Sequence, residues 1–341
     1  MSENKNLPDN VDNISTELSG ISADKILDGS VTFAELYAIF KKPEIWPAIA
    51  VVILAEACKK PVLKAVNDIM DMLIVNRLDF MNKKSKLKYR LKLEEEEMEA
   101  MHQKGKRENN LLVPVDEMPI DNPEITALFN QRLLSYQNLK YLILAKALRI
   151  PEKNLQIPDS NLLSKLLAHT DECCDDELIR WLYSSLFAAA LNKANNDKVH
   201  AAFTSIISEM NPHDAKLLYD LDIQGPLADY VCTNSKTLGK RRECLYEDVY
   251  LKDCEYHYDF SDTLSLLNLE RMNLIRIDKG TKLMNPGIND KFNKNEIYDR
   301  AQKDKNKYGE GSNIEIDTFV YRFTPFGIEF RNICLDKMEQ G

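Results

Sequence analysis

The sequence predicts a mostly α protein, a helical bundle followed by a C-terminal winged-helix-like α+β unit. Three observations carry that prediction. The 341 residues include only 11 glycines and 13 prolines, too few for a turn-rich β-sandwich and well suited to long helices. Apolar residues recur at helical spacing through the first two thirds of the chain. In the last third, Phe260 opens a helix whose Leu264, Leu267 and Leu269 lead into the short β run Met272–Ile277, and Thr318–Thr324 alternates as a returning strand.

The elements follow in order. Residues 1–29 are polar and read as a mobile tail, and 30–108 as an N-terminal helical region. Within it Ser30 caps a helix over Val31–Phe40, a second runs from Glu44 to Lys60, and a third from Val62 toward Phe80. Lys83–Arg107 is charge-segregated, lysines before glutamates, and reads as a solvated helix whose lysine half could meet an anionic partner. Residues 109–122, with Pro114 and Pro119, read as a linker, and 123–222 as a helical core. That core starts with Pro123 at N1 and continues with helices over Ser160–His169, Glu177–Asn192, Val199–Met210 and, capped by Asn211-Pro212, to Leu221.

The winged-helix-like unit spans 223–341. It begins with an irregular stretch before Phe260 and closes with a helix over Ile328–Leu335. A basic insertion, 280–317, stands where an ordinary wing would be shorter and reads as a long loop.

Bulk properties narrow the function. A formal charge of −9 opposes wholesale nucleic-acid binding. Seven cysteines, an odd number without a Cys-x-x-Cys pair, fit reduced thiols and a cytoplasmic location. Met1–Ser22 lacks the basic and apolar regions of a signal peptide. The apolar run Ile45–Ala55 falls short of the ~20 residues that span a bilayer, so a buried helix is expected. A membrane-surface role for the helices over 45–74 stays as an alternative.

Chemistry-bearing constellations are sparse. No Gly-rich phosphate loop, His-Glu-x-x-His pattern or nucleophile turn occurs, so neither enzyme nor cofactor is expected. Cys232, Cys244, Cys254 and His257 form the one metal-like grouping, with only Cys254 and His257 closely spaced, and buried thiols explain it better. Asp171, Glu172, Asp175, Asp176 and Glu177 gather at a helix start, where negative charge is favourable without catalysis.

A winged helix invites a DNA-binding reading. Yet the positions expected to be exposed on its reading helix are Asp259, Ser261, Asp262, Ser265, Asn268 and Glu270, with Arg271 the one base. The candidate contacts to a partner or to phosphate are therefore Lys236, Lys240, Arg241, Arg242 and Arg271, with Lys291, Lys294, Lys303 and Lys305 of the insertion. A protein partner or a homo-oligomer is expected, and a DNA-binding regulator is the alternative.

A resemblance adds to this reading. The runs Asp176–Leu182, Leu186-Phe187-Ala188-Ala189-Ala190-Leu191-Asn192, Val199–Phe203, Ile206-Ile207 and Met210–Leu218 resemble the core of the Abi-alpha family. The closing Thr324-Pro325-Phe326-Gly327, preceded by Phe323 and followed by Phe330 and Cys334, resembles that family's C-terminal signature. The similarity covers about Leu155 to Leu335. It implies an abortive-infection role, a bacterial defence against phage, and brings no catalytic residue set. The N-terminal half departs from the small-residue-rich pattern of similar chains.

Overall fold

The computed structural model describes residues 46–104, 123–234, 241–250, 259–281 and 286–335. The expected tail, the helix over Val31–Phe40, the linker 109–122, Lys236, Lys240, Cys254 and His257 lie outside them. The chain divides into two compact units, Met1–Val199 and His200–Gly341.

The first unit is helical. α1 covers Trp46–Ala57, α2 Pro61–Lys104, α3 Pro123–Leu148, α4 Ser160–Ala168, α5 Thr170–Cys173 and α6 Glu177–Ala190. α3 sits at the centre and packs against α1, α2 and α6. The inward stripes follow the helical period: Leu63, Val66, Met70, Ile74 and Leu78 on α2 meet Tyr136, Leu139, Ile143 and Ala147 on α3. The helix expected to reach Phe80 runs on to Lys104, so the charged block continues α2. α6 is buried on nearly every side, and its Ser184 and Ser185 hydroxyls return to the Trp181 carbonyl at 2.8 and 3.0 Å. Lys60 Nζ donates to the carbonyls of Leu148 (2.9 Å) and Ile150 (3.5 Å), closing the C-terminal end of α3.

The second unit is α+β. α7 (Ala202–Glu209) and α8 (Pro212–Asp220) precede β1 (Gln224–Asn234) and β2 (Arg241–Tyr250). α9 (Phe260–Arg271), β3 (Ile275–Asp278), α10 (Pro286–Asn293), α11 (Glu296–Asp304), β4 (Ser312–Phe323) and α12 (Pro325–Cys334) follow. The strands form one antiparallel sheet in the order β2-β1-β4-β3.

Four expectations are corrected here. The stretch read as irregular holds β1 and β2, whose pairing is broken by bulges around Ala228–Val231 that spoil the strand alternation. The insertion read as a loop folds into α10 and α11 and lays Phe292, Ile297 and Ala301 against Ala228, Tyr230 and Val249 of the sheet. Tyr230 fixes it there: its hydroxyl donates to the Phe292 carbonyl (2.8 Å) and accepts from Asn295 Nδ2 (2.7 Å). The helix expected from Val199 begins at Ala202. The closing helix begins at Pro325, three residues before the expected Ile328, because Thr324 caps it and Pro325 suits its first turn.

Candidate interaction surface

Asn211 begins the local scaffold of the site. Its side chain accepts from the backbone N–H groups of His213 (2.8 Å) and Asp214 (2.9 Å), while Asp214 accepts from Asn211 N–H (3.0 Å), a reciprocal capping box on α8. Asp214 is fully buried, and its Oδ2 also accepts from Asn268 on α9 at 2.6 Å. His213 Nε2 lies 2.8 Å from Asp262 Oδ1, and Arg271 donates to Glu209 at 2.9 Å. α8 and the end of α7 thus grip α9 by polar contacts spread along its length.

That grip fixes which face of α9 points outward. Thr263, Ser265, Leu266 and Leu269 are buried, whereas Phe260, Leu264 and Leu267 are 62%, 53% and 45% exposed. At ~100° per residue, Phe260, Leu264, Leu267 and Arg271 fall within ~60° of one another, opposite Leu266 and Leu269. α9 is therefore apolar on two faces and only one is covered. The sequence reading placed polar groups outward; Ser265 is buried, and Asp259, Ser261, Asp262, Asn268 and Glu270 are half-buried. The missed signal was the 4-3-4 spacing of Phe260, Leu264, Leu267 and Arg271 beside a separate inner stripe.

Among the described residues, several of the basic candidates have partners close by. Arg241 opens β2, and Arg242 pairs with Asp317 of β4. Arg271 donates to Asn268 as well as to Glu209. Lys291 is exposed on α10, and Lys294 lies 3.5 Å from Asp290. Lys303 is exposed on α11, and Lys305 donates to Gln302 at 2.5 Å. Arg300 and Lys307 of the same insertion likewise face Glu296 (3.5 Å) and Asp304 (2.6 Å). Carboxylates one turn away offset much of the field a phosphate would feel.

The signature residues have structural work. Thr324 Oγ1 accepts from Gly327 N–H (2.8 Å) and donates to the Asn273 carbonyl (2.6 Å). Phe326 packs on Phe203 at 5.1 Å and edge-on to His200 at 5.8 Å between centroids, and Phe330 meets Phe203 at 5.1 Å. At Gly327 a Cβ would lie 1.8 Å from the Leu274 carbonyl oxygen, so only glycine lets α12 approach so closely.

Two polar clusters remain. Lys279 Nζ lies 3.1 Å from Asp229, 3.0 Å from Asp248 and 3.4 Å from Glu247. Asp248 adopts a left-handed φ of 49° beside the β1 bulge and is buried. Burial raises its carboxyl pKa, which the lysine only partly offsets. Burial alone would lower the Lys279 pKa, yet hydrogen bonds to Asp248 and Asp229 outweigh it and the net direction is upward. Cys244, close to this cluster, is pushed up to about 11, by burial first and then by Asp229.

In the first unit a groove of about 500 Å³ is lined by Arg77, Phe80, Arg132, Tyr136, Asp171 and Asp175, among others. Arg77 lies 3.3 Å from Asp171, Arg132 pairs with Asp175, and Tyr136 donates to Asp171 at 2.5 Å. Asp176 caps α6 through Leu178 N–H and Ile179 N–H, both at 2.9 Å. Each of these carboxylates is held by a structural partner. Cys232 is buried and Cys244 donates to backbone carbonyls. Among the described residues no group of three or more His, Cys, Asp or Glu side chains could hold a metal.

Fold and surface together define a helical unit followed by an α+β unit that presents an apolar helix face. Residues 130–334 match the family described as abortive infection alpha, and the chain belongs to that family. The match takes in most of α3 and starts about 25 residues before Leu155, where the resemblance was expected to begin. No functionally curated protein and no solved structure matches the chain.

Proposed function

We propose that the protein acts in abortive infection, a bacterial anti-phage defence, as a non-enzymatic component that recognises a protein through the outer face of α9. The observation that carries the recognition is the exposed seam Phe260–Leu264–Leu267 on a helix whose orientation is fixed by Asp214, Asp262 and Arg271. Contiguous apolar side chains held rigidly in water favour a covering partner. Family membership supplies the defence context. The structural pairing of Asp171, Asp175, Asp176 and Lys279 supports a role without catalysis.

The winged-helix description belongs to this proposal: α9 is followed by β3 and β4, with β1 beside β4, and serves here as a scaffold for docking. A membrane-surface role is less supported. Among the described residues no helix is long and apolar enough to cross a membrane. The defence role is tested by expressing the protein in a bacterial host against a broad phage panel. Plaquing is expected to fall for at least one phage, and unchanged plaquing throughout would contradict it.

A further inference from the structure

Among the described residues the buried stripe of α2 ends at Leu78, although the helix runs on to Lys104. Where the stripe ends, the groove of about 500 Å³ opens between α2, α3 and residues 171–175. Along α2 it is lined by Arg77, Phe80, Met81 and Lys84, the i, i+3, i+4 and i+7 positions of one helical face. Phe80 and Met81 make an apolar floor. A cation stands one turn to either side of it, the two about 10 Å apart along the helix. Phe80 is 62% exposed, a large ring left uncovered in a groove whose volume suits a small organic ligand.

Donors and acceptors in the groove are unequally served. Asp171 accepts from the Tyr136 hydroxyl on one carboxylate oxygen (2.5 Å) and faces Arg77 with the other (3.3 Å), while Asp175 pairs with Arg132. The acceptors are therefore engaged. Among the described residues Arg77 makes only that ion pair and no hydrogen bond, and Lys84 and Gln131 make neither. Three donor side chains thus line a groove whose own carboxylates are already matched. With Arg132 counted, the lining carries three cations against two carboxylates.

We propose that this groove binds a small organic anion with a flat apolar body. The body lies on Phe80 and Met81, and the acid is held by Arg77 and Lys84, with the Gln131 amide as a third donor. A neutral apolar ligand would leave those donors unmatched, and a bare inorganic anion would leave the ring uncovered. The site lies within the first unit and stands apart from the reading of α9, so the outcome for one does not decide the other.

The test is isothermal titration of the full chain with 2-naphthoate and 2-naphthyl phosphate, each a flat apolar body bearing an acid. The comparisons are 2-naphthylmethanol, which lacks the acid, and inorganic phosphate, which lacks the body. At the efficiency usual for organic ligands, a probe of about a dozen heavy atoms binds with a Kd of about 1 mM or tighter. One saturable site is expected for at least one of the two naphthyl acids, and whichever binds more tightly names the acid. The alcohol and inorganic phosphate are each expected to bind ~tenfold more weakly or worse, the scale of one charge-assisted hydrogen bond or of one covered ring. Phe80→Ala and Lys84→Glu are each expected to raise the Kd ~tenfold on the same grounds. Lys303→Glu, a charge change in the second unit, and Leu264→Asp, on the outer face of α9, are expected to leave it unchanged. Phe80 and Lys84 are exposed, and unchanged thermal unfolding of each variant confirms that the fold is intact.

The absence of saturable binding for both naphthyl acids up to ~10 mM, about tenfold beyond the weakest Kd expected, overturns the proposal. So does equal affinity for 2-naphthylmethanol or for inorganic phosphate, or a Kd that either groove variant leaves unmoved. Binding that Leu264→Asp removes and Phe80→Ala spares places the probe on α9 and overturns it as well.

Discussion

Gly327 is the residue with least freedom to change. Its missing Cβ would sit 1.8 Å from a backbone oxygen, so Gly327→Ala must push α12 off Leu274. A loss of about 3 kcal/mol or more is expected, read by urea unfolding. Lys279 makes a pH-dependent prediction. Replacing it with methionine leaves Asp248 and Asp229 without their cation. We expect about 2 kcal/mol of destabilisation at neutral pH, below the usual figure for a buried pair because the lysine is 43% exposed. The folded-state pKa of Asp248 lies above its ordinary value, so the cost of holding it ionised grows as pH rises through that range and vanishes below it. The gap between wild type and Lys279→Met should therefore narrow on acidification toward the carboxylate range. A constant gap in unfolding midpoint across pH would show that the cluster is not ionic. Capping residues such as Asn211, Pro212 and Thr324 were legible in the sequence because a cap is local. The Lys279 clasp was not, since Asp229 and Glu247 lie 50 and 32 residues away and its third partner, Asp248, needs an unusual backbone angle.

Elements with a long period were the legible ones. The long α3 and the short capped α8 appear where their apolar spacing or caps put them, and α2 starts where expected but runs on to Lys104. α10 and α11 were missed because eight and nine residues give a short period little room, and their few apolar positions stand among lysines and asparagines. β1 was missed because its bulges, and Pro226 within it, interrupt the alternation. The packing of the insertion is a prediction in its own right. Phe292 is fully buried against the sheet, so Phe292→Ala should destabilise the protein by about 3–5 kcal/mol. A change below about 1 kcal/mol by denaturant unfolding would mean that α10 does not cover the sheet.

At the scale of the whole molecule, an acidic chain offsets many of its own cations with nearby carboxylates and leaves an apolar helix face open to water. The sequence carried the mostly α character, the α+β C-terminal unit and the family, but not the proposed recognition face. Which side of α9 faces inward depends on contacts from α7 and α8, some 50 to 60 residues earlier, and no helical period encodes those. The most direct measurement is the efficiency of plaquing on hosts expressing wild type, Leu264→Asp with Leu267→Asp, or Lys303→Glu as a surface-charge control, at matched protein levels and with the best-suppressed phage. Suppression is expected to survive Lys303→Glu and to disappear with the α9 pair. Full suppression by the α9 pair would contradict the claim that this face is the recognition surface.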